Sequence, residues 1–175
     1  MMLIPILRAI SRGEARKKLD GLKLINKRVR IEVADGRFVD ELTVGPSDFV
    51  EEDFGSMKVE YHLMVDDPTE WIRECVEAGA SIIIGQIERM GSQALFIDDV
   101  EENEGVKAGI ALEYGTPVEE IEREILTRLQ MIQLNYDVGK KDEISEKASK
   151  LREKYQGEIW LKEKGQSVSE LFVLD

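Results

Sequence analysis

Residues 57–84, MKVEYHLMVDDPTEWIRECVEAGASIII, read as strand, capped helix and strand. Val59, Tyr61, Leu63 and Val65 alternate with Glu60, His62 and Met64, the period of two that a pleated strand requires. Asp67 suits the helix cap, Pro68 the first helical position, and Glu70 sits where it can reach back to the cap. Trp71, Ile72, Cys75 and Val76 share one helical face, and Gly79 supplies the left-handed residue that ends the helix. Ser81 to Ile84 opens a second strand. Strands joined through a helix are normally parallel, so the stretch is one βαβ unit.

Working outward, the same unit recurs along the chain. Met2–Leu7, Arg28–Ala34, Val106–Leu112, Met131–Tyr136, Glu158–Leu161 and Leu171–Leu174 read as further strands. Gly13–Ile25 and Glu143–Tyr155 read as helices, and Ile87, Met90, Ala94, Ile97 and Val100 form a helical stripe. Thr116, Pro117 and Glu119 repeat the cap grammar before Val118, Ile121, Ile125 and Leu129, which predicts another helix there. Between Asp35 and Ser56 lies a longer connection holding three glycines and Pro46. Strand starts near residues 2, 28, 57, 81, 106, 130, 158 and 171 are 24 to 29 residues apart except for the last pair, 13 apart. Regular repetition of this length predicts an α/β fold, a (β/α)8 TIM barrel shortened at its C-terminus, over residues 1–175 as a single domain. The seventh helix would be a stub and the eighth absent. Strand surface left bare in this way favours a homo-oligomer or an imperfectly closed barrel.

Composition bounds the function. Asp and Glu number 36 against 24 Lys and Arg, a net charge of −12 over 175 residues. That balance opposes nucleic-acid binding, which needs clustered cations. No apolar run approaches the ~20 residues of a membrane span. The opening MMLIPILRAI is followed by basic residues and no small-residue cleavage site, so no secretory leader is expected and the address is cytoplasmic. Cys75 is the single cysteine and lies on an apolar helix face, where it reads as a packed thiol rather than a nucleophile.

In the central strands one face is aliphatic and must look toward the helices. The opposite face, which lines the barrel, carries Arg30, Glu32, Glu60, His62, Gln86, Lys107, Glu113, Gln133, Asn135, Trp160 and Lys162. Burying so many polar groups is costly unless each is paired or solvated. One reading is a ligand site at the C-terminal mouth, where Glu32, His62, Gln86, Glu113 and Asn135 converge. The other is an internal network of Arg30, Glu32, Glu60 and Lys107. The residues alone leave both open.

These residues also carry a family resemblance. VRIEVADGRFVDELTVGP, YHLMVDDPTEWIRECVEAGASIIIGQIE and KAGIALEYGTPVEEI resemble three ordered motifs of the ribulose-phosphate 3-epimerases, from about Val29 to Ile125. The resemblance implies a barrel that acts on a small sugar phosphate by proton exchange at carbon 3 of a pentulose phosphate. Two aspartates and a divalent metal, held by those aspartates and two histidines, would serve that chemistry. Carried onto this chain, the first metal histidine falls on Arg30 and the first catalytic aspartate on Glu32. The second histidine is kept as His62, with Met64 after it. A further histidine becomes Gln86, Glu88 is kept, and an asparagine becomes Glu113.

The second half of the chain departs further. The seventh-strand motif with the second aspartate falls near Trp160 to Lys164, where Glu163 is the candidate stand-in. The glycine-rich phosphate loop after the sixth strand is replaced by Val138, Gly139, Lys140 and Lys141, and the later phosphate grip is missing. The expectation is therefore an epimerase-like isomerase or sugar-phosphate binder. Glu32 and Glu163 are its catalytic candidates. His62, Met64, Gln86, Glu113, Lys140 and Lys164 are its substrate contacts. His62 and Glu32 are what is left of a weakened zinc, iron or manganese site. The alternative is a catalytically inactive paralogue with an assembly or regulatory role.

Overall fold

Seven strands run parallel around a closed barrel and the eighth runs against both of its neighbours. The computed structural model describes residues 2–173. The strands are β1 (Leu3–Leu7), β2 (Arg28–Ala34), β3 (Lys58–Met64), β4 (Ile82–Gln86), β5 (Lys107–Leu112), β6 (Met131–Tyr136), β7 (Glu158–Glu163) and β8 (Val168–Leu171). Each lies beside its sequence neighbours, and β8 closes the ring onto β1. The architecture is a TIM barrel shortened in its helical cover.

Alternation along each strand separates two cores. Val29, Ile31, Val33, Val59, Tyr61, Leu63, Ile110, Leu112, Ile132, Leu134, Ile159 and Leu161 face outward into the main apolar layer. A small inner cluster of Ile4, Ile82, Ile84, Ala111, Met131 and Trp160 fills the barrel floor. Bulky aliphatic side chains usually fill such a barrel throughout. Here they fill its lower part, and the polar residues fill the rest.

Four connections carry α-helices: α1 (Arg12–Lys23), α2 (Ile72–Glu77), α3 (Gln93–Glu101) and α4 (Lys141–Arg152). Ser11 caps α1 by accepting from the Glu14 backbone N–H at 3.2 Å. Asp67 accepts from the Thr69 N–H at 3.0 Å, and a 3-10 turn from Pro68 to Trp71 leads into α2. Gly79, at φ +77°, stops that helix in the left-handed conformation. None of the helices is long and apolar enough to cross a membrane among the described residues.

Two expectations are corrected. The helix predicted from Thr116 is instead a pair of 3-10 turns, Val118–Glu120 and Arg123–Ile125. The Thr116 hydroxyl donates to Glu88 Oε1 at 2.6 Å rather than capping. Gln93, from α3, takes the Glu120 carbonyl at 2.8 Å and the Glu122 N–H at 3.1 Å, so its amide replaces the helical bonds at the break. The last strand, expected over Leu171–Leu174, runs from Val168 to Leu171, and Leu174 lies outside the described residues. Four residues separate it from β7, enough for a hairpin turn through Gly165 (φ +84°) but far short of a parallel crossover. Leu3 on β1 is 46% exposed and Val168 on β8 is 39% exposed.

The barrel interior is tight at β5. A Cβ on Gly109 would stand 2.9 Å from Met131 Cγ and 3.3 Å from the Met131 carbonyl oxygen. Gly109→Ala is expected to destabilise the chain by about 1–3 kcal/mol through overpacking, read as a lower urea midpoint.

Candidate active site

The polar interior forms two layers. In the lower one Arg30, fully buried, donates through Nε to Glu60 Oε2 at 2.8 Å and through Nη1 to Ser169 Oγ at 3.1 Å. It also reaches Gln133. Arg28 pairs with the same Glu60 and with Glu158 at 2.7 Å. Both guanidinium groups stack on the Trp160 ring, 5.2 and 5.4 Å from its centre, and the Trp160 indole donates to Glu158 at 2.7 Å. This network plugs the barrel below the mouth. Lys107 lies exposed at the lower rim and outside these contacts.

The upper layer starts from register. Glu32 and His62 are partners across β2 and β3, and both point inward. His62 Nδ1 lies 3.6 Å from Glu32 Oε1, and Lys162 Nζ lies 3.7 Å from the same oxygen. Arg8, just past β1, donates through Nε to Glu32 Oε2 at 2.9 Å and also pairs with Glu41. Gln133 Nε2 donates to Asn135 Oδ1 at 2.8 Å and lies 3.3 Å from His62 Nδ1. Asn135 Nδ2 donates to Glu113 Oε1 at 2.8 Å, and Lys164 pairs with Glu113 at 2.8 Å. Oriented to satisfy its whole neighbourhood, the Gln86 amide donates to Glu88 and the Ala111 carbonyl, and accepts from His62 Nε2 at 3.1 Å. That assignment makes His62 the Nε2–H tautomer, with Nδ1 as the free acceptor facing Gln133 and Glu32.

Burial alone would raise the Glu32 carboxyl, but the Lys162 and Arg8 charges oppose that and hold the group below its ordinary value. Burial pulls His62 below its ordinary value, against the opposing charge of Glu32, so the ring is neutral. Desolvation likewise lowers Lys162, opposed by Glu32. Above this floor opens a cavity of about 420 Å³, with three carboxylates (Glu32, Glu41, Glu113) and three cations (Arg8, Lys162, Lys164) in its wall. Its volume is in the range of small-ligand sites, and it sits at the C-terminal end of the strands, where such barrels carry their sites.

The sequence candidates divide accordingly. Glu32, His62, Met64, Glu113 and Lys164 line the cavity together. Gln86 lies beneath it, fully buried, as a partner of His62. Glu163 does not join them: it follows Lys162 by one position, so it shares the outward face of Ile159 and Leu161, and Gln166 donates to it at 3.4 Å. Lys140 is also elsewhere, on the surface before α4, bonded to Glu143 at 2.6 Å. Arg8 joins the site from outside the sequence candidates, at the next inward position after Ile4 and Ile6.

The residues present do not fit a divalent metal. His62 and Glu32 supply two donors, and Lys162 and Arg8 already surround the carboxylate of one. Among the described residues no three His, Cys, Asp or Glu side chains gather as a ligand set. Arg30, at the position the resemblance gives to a metal histidine, is a guanidinium tied into the lower plug.

A profile of the Ribulose-phosphate 3 epimerase family matches residues 9–156. The chain is 35% identical over 96 residues to the ribulose-phosphate 3-epimerase of Bacillus subtilis (strain 168), 54% of this chain and 43% of that protein. It is 31% identical over 98 residues to the chloroplastic ribulose-5-phosphate-3-epimerase of Arabidopsis thaliana, 54% of this chain and 34% of that protein. To the Synechocystis sp. ribulose-phosphate 3-epimerase it is 32% identical over 97 residues, 54% and 42% of the two chains. The chain thus spans less than half the length of these relatives. With the profile running from just after β1 to just before β7, the chain belongs to the ribulose-phosphate 3-epimerase family.

Proposed function

We propose that the barrel mouth binds a phosphorylated ketose of the ribulose-phosphate kind and exchanges a proton at the carbon beside its carbonyl. The observation that carries this reading is the buried Glu32 carboxylate, next to neutral His62, on the floor of a polar cavity at the C-terminal strand ends. Glu32 is the base that takes and returns the proton. Lys164, ion-paired with Glu113 and Asp137 on the cavity wall, is the contact for the phosphate. Glu113 is the second carboxylate of the same cavity and faces the ligand from the β5 side.

The test is solvent-deuterium incorporation at carbon 3 of ribulose 5-phosphate, followed by proton NMR. Wild type is expected to exchange, and Glu32→Gln to lose at least about 10²-fold in rate, the scale of a lost general base. An exchange rate equal to the uncatalysed one contradicts the proposal.

A second reading has its own support: Arg8 clamps Glu32, and Glu163 faces away from the mouth, which weakens a two-base mechanism. In that reading the chain is an inactive paralogue that binds the ligand for an assembly or regulatory role. Saturable binding of ribulose 5-phosphate without any exchange would select it.

The exposed apolar residues on the outer face of β1 and β8 belong to the same proposal as the surface of a homo-oligomer. Light scattering on the purified chain is expected to give a multiple of 19.9 kDa, moving toward the monomer in Leu3→Lys. A monomeric wild type would exclude it.

A further inference from the structure

Lys162 is the group on the cavity floor that the reading above leaves unused. It is 3% exposed, stands on β7 with Trp160 below it, and opens onto the same cavity as Glu32 and His62. An ammonium has three N–H donors. Among the described residues one goes to the Glu163 carbonyl at 3.1 Å, and Glu32 Oε1 lies 3.7 Å away. At least one donor is therefore left for a ligand in the cavity.

The same placement decides what else can sit there. The Glu32 oxygen that faces His62 Nδ1 is also the one that faces Lys162, and Arg8 covers the other oxygen. A divalent cation between Glu32 and His62 would meet these positive charges at short range and find two protein donors. Both nitrogens of His62 already face amide partners, Gln86 and Gln133. Removing a proton beside a carbonyl loads negative charge onto the carbonyl oxygen, and a fixed positive charge aimed at that oxygen stabilises it.

We infer that this mouth works without a resident divalent metal, and that the Lys162 ammonium meets the carbonyl and hydroxyl oxygens of a bound ketose beside Glu32. This rests on the mouth being a ketose-phosphate site, and the test separates the two claims. The full chain, purified without chelator, is analysed for bound metal by mass spectrometry. After chelator treatment it is titrated calorimetrically with Zn²⁺ and Mn²⁺, which involves no substrate. Metal far below one per chain and no saturable binding are expected. A tightly held metal at one per chain, released in His62→Ala, would overturn the inference.

Ribulose 5-phosphate is then titrated into the chelator-treated wild type, Lys162→Met and Lys162→Arg, each checked for folding by its unfolding midpoint. Lys162→Met is expected to lose affinity by about tenfold or more, the scale of a lost charge-assisted hydrogen bond, with partial rescue by Arg. Equal affinity in wild type and Lys162→Met overturns the inference, as does the absence of binding to wild type. If Lys162→Met does not fold, a Lys162→Arg affinity unchanged from wild type, together with tighter wild-type binding on adding Zn²⁺, overturns it equally. Binding that depends on Lys162 without carbon-3 exchange sinks the proton-exchange reading and leaves this inference standing. Exchange that needs added metal does the reverse.

Discussion

Arg30→Met is expected to lower the stability of the folded chain by about 3–5 kcal/mol, the scale of a broken buried ion pair. Arg30 and Glu60 are both 0% exposed, so the carboxylate left behind cannot recruit water. Arg28 reaches Glu60 from the barrel's lower end but is also committed to Glu158, so it does not take over both roles. Gln133 and Ser169 lose a donor at the same time. Methionine fills most of the vacated volume, so the loss reports the broken charge network rather than a cavity. The control is Arg30→Met combined with Glu60→Leu, which removes both charges. It is expected to recover a large part of the loss, because an apolar pair of similar volume costs no desolvation. Urea unfolding of the three variants measures both differences. A double variant no better than the single one would show that the plug is held by packing around Trp160.

The second large effect is on pH dependence. The Glu32 carboxyl is held below its ordinary 4.5 in the folded chain by the Arg8 and Lys162 charges, against the effect of burial. A depressed carboxyl contributes stability that is present above the unfolded value and is lost as pH falls through the folded one. For Glu32 that contribution is present at neutral pH and is lost as pH falls from about 4.5. Glu32→Gln carries no such titration. The stability gap between wild type and Glu32→Gln is therefore expected to be wide at neutral pH and to close as the solution is acidified. Unfolding free energies of both chains across that window measure it. A gap that stays constant would mean that Arg8 and Lys162 do not hold the carboxylate.

Much of this arrangement was legible because a strand in a two-sided layer is bound to alternate. Val29, Ile31 and Val33 against Arg30 and Glu32 have one solution in which the aliphatic side meets the helices. The parallel register of β2 and β3 then places Glu32 beside His62 with no further information. What was not legible depends on groups distant in the chain. The cap grammar at Thr116 is local, and Gln93 and Glu88 override it from other connections.

The direction of β8 was implicit in the short spacing before it, since four residues turn a hairpin and nothing more. Arg8 gives no signal in the sequence because the apolar pattern of β1 ends one residue earlier. Motif position puts Glu163 in the site, whereas alternation along β7 puts it on the face opposite Trp160 and Lys162. Where motif and parity disagree, the pleat wins, because a slip of one residue would bury Glu163 and expel Lys162.

His62 is the single histidine of the chain, so its imidazole gives one unambiguous set of signals. The most direct measurement is therefore the nitrogen-15 imidazole spectrum of the full chain, recorded with pH and then with added ribulose 5-phosphate. A ring that is the neutral Nε2–H tautomer at neutral pH and protonates only below its ordinary range, and that shifts saturably with the sugar phosphate, is the predicted result. A ring that protonates near its ordinary value, or signals that ignore the ligand at saturating concentration, would contradict a ketose-phosphate site built around Glu32 and His62.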